Sequence, residues 1–464
     1  MELPLSFVDS IRKLLGAESD AFFAALQEAP PVSVRTNLLK GERQWDESIP
    51  WTSSGGYLKE RPSFTFDPLF HAGCYYVQEA SSMFVEQAFK KVKASFDEAA
   101  LRVLDLCAAP GGKSTLLASM LSKDDLLVAN EILRPRANIL AENLIKWGLP
   151  NVVVTQSDPA TFSNLPPSFD VILADVPCSG EGMFRKDPHA ITEWSIDNVA
   201  ICANRQREII QAIWPTLHAG GFLMYSTCTY NTKENEENVQ WICQELGGSL
   251  VEISTQEAWG ISGAKGDFAN GTDFPVYRFF PHLTKGEGFF LALIQKEEGS
   301  SRKQSNPKHD AKKKADQKNP TFKNELIRSW IKEFDAFTLY QNWQGGIAAI
   351  PKIQIDFFRK LEQHVRIVHA GIGMGVLKGK DVIPDAALAL SVFLDPTQFN
   401  TYDLQLTQAI DFLKREAIVV PEGCPLGWVL ITFQNHPLGW IKNLGSRANN
   451  NYPNEWRIRS DNPF

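Results

Sequence analysis

Between residues 101 and 298 the chain alternates short apolar runs with amphipathic stretches. A parallel sheet joined by crossover helices and covered on both faces accommodates that pattern. The runs are RVLDLC (102 to 107), LLVAN (126 to 130), VVVTQ (152 to 156), DVILAD (170 to 175), GFLMYSTC (221 to 228) and GFFLALIQK (288 to 296). In RPRANILAENLIKWG, Ala137, Leu140, Ala141, Leu144 and Ile145 fall on one helical face, with Gly148 placed as a C-cap. The segment is therefore predicted to be α/β, and such sheets bind ligands at the carboxyl ends of their strands.

At 464 residues the chain exceeds one ordinary domain. Residues 1 to 92 read as a small α+β unit: Phe7, Ile11, Leu14 and Leu15 at helical spacing, a second helix in AESDAFFAALQEA, then the strand-like VSVRTNLLK. Residues 93 to 298 form the α/β domain, and 299 to 324 a linker expected to be flexible. Its stretch from 302 to 323 holds eight Lys or Arg against two Asp or Glu and almost no apolar side chains. From 325 to 464 short strands and turns return (GIGMGVLKGKDVIP, GCPLGWVLI, NHPLGWIKNLG).

The formal net charge of −7 excludes a uniformly basic nucleic-acid binder but not a local basic patch. No apolar run reaches the roughly 18 residues of a membrane span, and MELPLSFVDSIRKLLG lacks the order of a signal peptide. A cytoplasmic protein without membrane contact is expected. Seven cysteines (74, 107, 178, 202, 228, 243 and 424) at irregular spacings include no CxxC pair, so free thiols are expected, without a metal site or disulfide framework.

The first strand runs into AAPGGK (108 to 113) and then STLLASML, a glycine-rich turn opening a helix whose first amides face a ligand. GGKST matches half of a phosphate-binding P-loop, but the position five before Gly112 is Cys107 rather than glycine. VILAD resembles a magnesium-holding strand end, so a nucleotide hydrolase stays open at this point. Glu131 follows the second strand, 24 residues past Cys107, near the spacing at which an acid accepts hydrogen bonds from ribose hydroxyls. Asp158 follows the third strand, where a carboxylate meets an exocyclic amine, and Asp175 ends the fourth. Each acid alone also reads as a turn residue or helix N-cap; three at successive strand ends point to an adenosine ligand in one crevice.

Cys178 lies in Asp175-Val176-Pro177-Cys178-Ser179-Gly180 and Cys228 in Tyr225-Ser226-Thr227-Cys228-Thr229, each just past a strand and so expected at the same crevice. Taken singly, a cysteine is more often a packing residue than a chemical one, but small polar neighbours at the start of a loop turn that reading toward chemistry for both.

VLDLCAAPGGKSTLL, DVILADVPCSGEGMFRKDP and LMYSTCTYNTKENEENV resemble the signature motifs of the NOP/Sun family of RNA 5-methylcytosine methyltransferases. HAGCYYVQEASSM (71 to 83) and RFFPHLTKGEGFF (278 to 290) resemble its bacterial RsmF branch, which methylates a cytidine of 16S rRNA. LGWIKNLGSRANNNYPNEWRI is similar to that branch's PUA-like tail. The resemblance implies a Rossmann-like S-adenosylmethionine-dependent core, an N-terminal RNA-binding α+β domain, and a β-rich PUA-like RNA-binding region over about 386 to 464. It implies Cys228 as nucleophile, Cys178 as an aid to product release, Asp175 as the acid contacting the target base, and Lys113 as a source of positive charge. Cys107, Ala108, Ala109, Pro110, Gly111, Gly112 and Lys113 match the donor loop, with Glu131 on ribose and Asp158 near adenine. Cys74, Cys202, Cys243 and Cys424 read as structural.

C5 of cytosine is a poor nucleophile, so a thiolate must first add to C6, which makes C5 enamine-like and able to take a methyl group. The expected partner is RNA, an rRNA free or within the assembled 30S subunit, with tRNA or a non-catalytic role in ribosome assembly as alternatives; the protein is expected to be a monomer. Candidate RNA contacts are Arg185, Lys186, Arg205 and Arg207 near the crevice. In the tail, Lys442, Arg447, Arg457 and Arg459 interleave with Trp440, Tyr452 and Trp456, a mixture suited to touching phosphates and stacking on bases.

Overall fold

The computed structural model describes residues 2–96, 100–269, 274–298, 325–341, 345–379, 381–420 and 423–460; the expected linker over 299–324 lies outside the described residues. Nine strands form the central sheet: β1 (Arg102–Asp105), β2 (Leu126–Asn130), β3 (Val152–Thr155), β4 (Phe169–Asp175), β5 (Leu217–Thr227), β6 (Gly248–Leu250), β7 (Tyr277–Phe279), β8 (Phe289–Lys296) and β9 (Ile367–Ala370). Their order is β6-β8-β5-β4-β1-β2-β3-β9, with β7 paired to β8. Strands β1 to β5 run parallel, whereas β8 is antiparallel to β5 and β9 antiparallel to β3.

Burial on both faces explains the continuous apolar runs. Val103, Leu127, Val171 and Met224 enter one core, while Leu104, Val128, Ile172 and Leu223 enter the other, the alternation that pleated strands impose. The chain winds outward from β1 through β2 to β3, then returns to lay β4 on the other side of β1. The crevice at this switch lies between the ends of β1 and β4.

The helix α1 (Gly112–Met120) follows β1, and α2 (Arg134–Trp147) follows β2. Gly148 ends α2 in the left-handed conformation (φ 90°), as the spacing predicts. The last carbonyls of α2 are satisfied by the N-terminal unit: Lys40 Nζ donates to Lys146 O at 2.6 Å, and Asn37 Nδ2 donates to both Trp147 O and Gly73 O at 3.0 Å. A lysine there also faces the negative end of the helix dipole.

The N-terminal unit opens with the helices Leu5–Leu15 and Ser19–Leu26, builds a four-stranded sheet around Val32–Thr36, and includes the short helix Pro68–His71 before Val85–Lys93 leads into the central sheet. The carboxy-terminal residues form two further four-stranded sheets, one of which holds Gly427–Phe433 and His436–Asn443. That sheet packs directly on the N-terminal unit: Val34, Leu69 and Tyr75 share one hydrophobic cluster with Phe412, Val429 and Tyr452. No helix among the described residues is long and apolar enough to cross a membrane.

Gly73 adopts φ +72°, and a Cβ built on it would lie 1.8 Å from Lys146 O. The Gly73→Ala variant must therefore push the N-terminal unit off α2. We expect a loss of about 2 kcal/mol or more in urea denaturation. Gly263→Ala, which meets nothing within 4 Å, should change stability by less than about 0.5 kcal/mol.

Candidate active site

A cavity of about 350 Å³ opens at the switch between β1 and β4. Its wall includes Cys107, Ala108, Ala109, Pro110, Gly112 and Lys113 from the glycine-rich turn, Asp175 from the end of β4, and Cys228 just past β5. The turn is clamped from α2, where Arg136 Nη2 donates to Ala109 O at 2.9 Å and Asn143 Nδ2 to Pro110 O at 2.8 Å. Gly111 takes φ 114° as the residue before α1, a conformation that L side chains rarely adopt.

Parallel pairing of β4 with β5 sets Asp175 opposite Ser226, and the Ser226 hydroxyl donates to Asp175 Oδ1 at 2.8 Å. Lys113 Nζ donates to Asp175 Oδ2, also at 2.8 Å. Burial pulls the Lys113 ammonium down, but the ion pair and hydrogen bond with Asp175 outweigh it, so its pKa is raised and the cation persists. Beyond these strand ends the two cysteines converge, with Cys178 Sγ 3.1 Å from Cys228 Sγ. The hydrogen bond to Cys228, followed by burial, pushes the Cys178 thiol well above its usual range, and it keeps its proton at neutral pH. Burial likewise raises the Cys107 thiol, which suits packing rather than redox chemistry.

The remaining acids are placed differently. Glu131 is buried at the end of β2, where it pairs with Arg136 at 3.2 Å and accepts from Leu133 N at 3.0 Å. Asp158 stands outside the cavity wall and caps a short helix, accepting from Ala160 N at 2.8 Å.

Arg185 corrects an expectation. Its side chain is only 5% exposed, paired with Glu287 and donating to Ala25 O and Gly286 O. It is an internal tie and no RNA contact. Lys186, 31% exposed, lines the cavity. Arg205 is exposed, and Arg207 is held by Asn238. In the tail, Trp440 and Tyr452 are buried in cores, which removes them as stacking platforms, while Trp456 is half-buried and Arg447, Arg457 and Arg459 are exposed. Lys442 lies over the Trp428 ring, 5.5 Å from its centroid.

Sequence reasoning missed two parts of the wall. Tyr76, Gln78 and Glu79 reach it from the N-terminal unit, out of a motif quoted above without a role in the site. Asp105 is the other: one acid within an otherwise apolar strand is the signal that marks it. It is fully buried; Ser114 donates to its Oδ2 at 2.6 Å, and its Oδ1 has no hydrogen-bond partner. Burial pushes its pKa up to about 7, against the Ser114 hydrogen bond and with the repulsion of Asp175. An unfolded aspartate ionises near pH ~4, whereas the folded group holds its proton to about 7, so native stability falls as pH rises between those values. Asp105→Asn removes this dependence. Relative to the parent, the variant should gain roughly 2–3 kcal/mol between pH ~5 and ~8 in chemical denaturation; equal pH profiles would contradict the assignment.

Comparisons with known proteins agree with this geometry. Residues 95–295 match the family model of the 16S rRNA methyltransferase RsmB/F, residues 3–80 the N-terminal domain of 16S rRNA methyltransferase RsmF, and residues 399–458 the methyltransferase RsmF PUA domain. Ribosomal RNA small subunit methyltransferase F of Escherichia coli is 31% identical over 490 residues, covering 97% of this chain and 96% of that protein. Its namesake in Vibrio cholerae is 30% identical over 498 residues, covering 100% and 99%. Among solved structures, a methyltransferase homolog protein from Pyrococcus horikoshii is 28% identical with a TM-score of 0.53, over 63% of this chain and 94% of that one. NSun6 from Pyrococcus horikoshii, solved with SFG, has a TM-score of 0.52 at 22% identity over 64% and 99%, which shows the shared fold. Full-length similarity, three matching family models and a crevice of this form place the chain in the RsmF family of S-adenosylmethionine-dependent 16S rRNA methyltransferases.

Proposed function

We propose that the protein methylates C5 of a cytidine in 16S rRNA, with Cys228 as nucleophile and Cys178 assisting release. The observation that carries this reading is the placement of Cys228 in the cavity wall beside the Lys113–Asp175 pair, with the Cys178 thiol 3.1 Å behind it.

The wall fits the donor. The partnerless Asp105 Oδ1 offers a buried hydrogen-bonding group, and the turn from Cys107 to Lys113 brings backbone close to a ligand. Glu131 and Asp158, further along the same edge, are assigned to the ribose and the adenine amine. Bound there, S-adenosylmethionine supplies an electrophilic methyl group.

The chain's own residues prepare the base. Lys113 sets a persistent positive charge close enough to interact with Cys228, where the attacking form is the thiolate. That thiolate adds to C6, its electron pair forming the S–C6 bond while the C5–C6 π pair moves toward C5. A carboxylic acid that donates a proton or hydrogen bond to N3 offsets the negative charge that develops there, and Asp175 is the acid assigned to that edge of the base. After C5 is methylated, a base removes its proton, the C5–C6 double bond re-forms and the S–C6 bond breaks. Cys178, which keeps its proton, donates a hydrogen bond to the departing Cys228 sulfur.

The target base must leave its stack to reach this thiol, at a cost of a few kcal/mol recovered from protein contacts. Lys186 at the cavity mouth and Arg205, Lys442, Arg447, Trp456 and Arg457 outside it are the residues assigned to RNA. The protein is read as a monomer that uses no metal.

Cys228→Ala should abolish methyl transfer while calorimetry shows unchanged donor affinity; retained turnover overturns the nucleophile. Cys178→Ala should accumulate a denaturation-resistant protein–RNA adduct, and its absence from a denaturing gel counts against the release role. Bisulfite sequencing of 16S rRNA from cells with and without the gene tests the target atom: no cytidine whose protection depends on the gene refutes C5 methylation.

A further inference from the structure

Two buried carboxylates lie between the cysteine loops and face each other's chain. Glu181 stands three residues past Cys178, and its Oε2 accepts from Thr229 Oγ1 at 2.7 Å, Tyr230 N at 2.7 Å and Asn231 N at 2.9 Å. Those three residues directly follow Cys228. Its Oε1 accepts from Trp194 Nε1 at 3.0 Å and Asn231 Nδ2 at 3.1 Å. Glu234 stands six residues past Cys228 and accepts from Ser179 N at 3.0 Å, from the Ser179 hydroxyl, from Gln206 Nε2 at 2.7 Å and from Asn231 Nδ2 at 2.8 Å. Ser179 directly follows Cys178. One backbone bond completes the lattice, with Gly182 N donating to Cys228 O at 2.9 Å.

We propose that Glu181 and Glu234 are positioning residues that form a reciprocal clasp: each belongs to one cysteine loop, grips the residues after the other cysteine, and so fixes the approach of the two sulfurs.

The chemistry of the groups explains why both are carboxylates. An ionised carboxylate is acceptor-only, with about four lone-pair sites, and Glu181 meets five donors. At Glu181 an amide that kept its oxygen toward the backbone N–H groups would turn its NH₂ toward Trp194 Nε1 and Asn231 Nδ2 and leave buried donors unpaired. With Glu181 only 2% and Glu234 0% exposed, water is kept from substituting. Ordinary loops vary in conformation, whereas here loops following two different strands are held to a 3.1 Å sulfur–sulfur contact. The inference rests on the roles assigned to Cys228 and Cys178 above.

The test uses the full-length protein and a 16S rRNA fragment, following both methylated product and denaturation-resistant adduct. Glu181→Gln and Glu234→Gln should each keep donor affinity and RNA KM within about twofold, lower kcat about tenfold or more, and shift the balance of species from product toward adduct. Thr229→Val, which removes one donor from Glu181, should move the same balance by about twofold to fivefold, and it serves if a glutamine variant does not fold. A double-mutant cycle supplies the decisive comparison: because the clasp acts through Cys178, Glu181→Gln should add little to the adduct already accumulated by Cys178→Ala. The clasp is overturned if the variants leave the adduct balance unchanged while Cys178→Ala raises it, or if their effect persists undiminished in the Cys178→Ala background. Failure of Cys178→Ala itself to accumulate adduct overturns the underlying release role instead.

Discussion

Parallel pairing between β4 and β5 is the constraint on which the site depends. It sets Asp175 against Ser226, extends one step further through Val176 N donating to Ser226 O at 3.1 Å, and lets both chains leave the sheet side by side. A shift of one residue in that register would turn alternate side chains to the opposite face. Asp175 would leave the cavity wall, Lys113 would lose its acceptor, and the sulfurs would part. Both faces are apolar, so it is the fit of particular side chains that opposes such a slip: Val171 and Leu173 fill one core while Ile172 and Ala174 fill the other. Core packing and chemistry are thus specified by the same residues.

Much of this was legible before any coordinates. The six apolar runs of the sheet are strands in the structure, with most ends within two residues of those read from sequence, because burial on both faces leaves an unbroken apolar signature. The strand β5 starts four residues early, at Leu217, since His218, Ala219 and Gly220 break the apolar pattern that marks the rest. Local motifs also located the glycine-rich turn of the cavity wall and the two cysteines that converge beyond the strand ends. What sequence does not carry is the burial of an individual polar or aromatic side chain. Arg185 sits in a polar loop yet is internal, and Trp440 and Tyr452 lie among basic residues yet belong to cores. Strand β9 escaped notice because it pairs with β3 across more than two hundred residues of sequence. Tyr76, Gln78 and Glu79 enter the site through contacts of the same long-range kind.

Helix α2 links these distant parts. Its C-terminal carbonyls are held by Asn37 and Lys40, its body contacts the short helix Ala386–Leu390, and its Arg136 and Asn143 hold the carbonyls of the glycine-rich turn. One rigid element therefore connects the N-terminal unit, the carboxy-terminal sheets and the loop assigned to the donor. Buried backbone groups left unpaired at any of these ends carry a penalty of about 1–3 kcal/mol each, so the connections are not readily exchanged for water.

Strand β9 gives the molecule a property that its modular sequence conceals. Partway through the first terminal sheet, after Phe337–Gln341 and Gly346–Pro351, the chain hydrogen-bonds into the catalytic sheet along β3, and the second terminal sheet closes onto the N-terminal unit. The tail is therefore part of the same frame as the crevice, fixed to it by a shared strand ladder and a shared core.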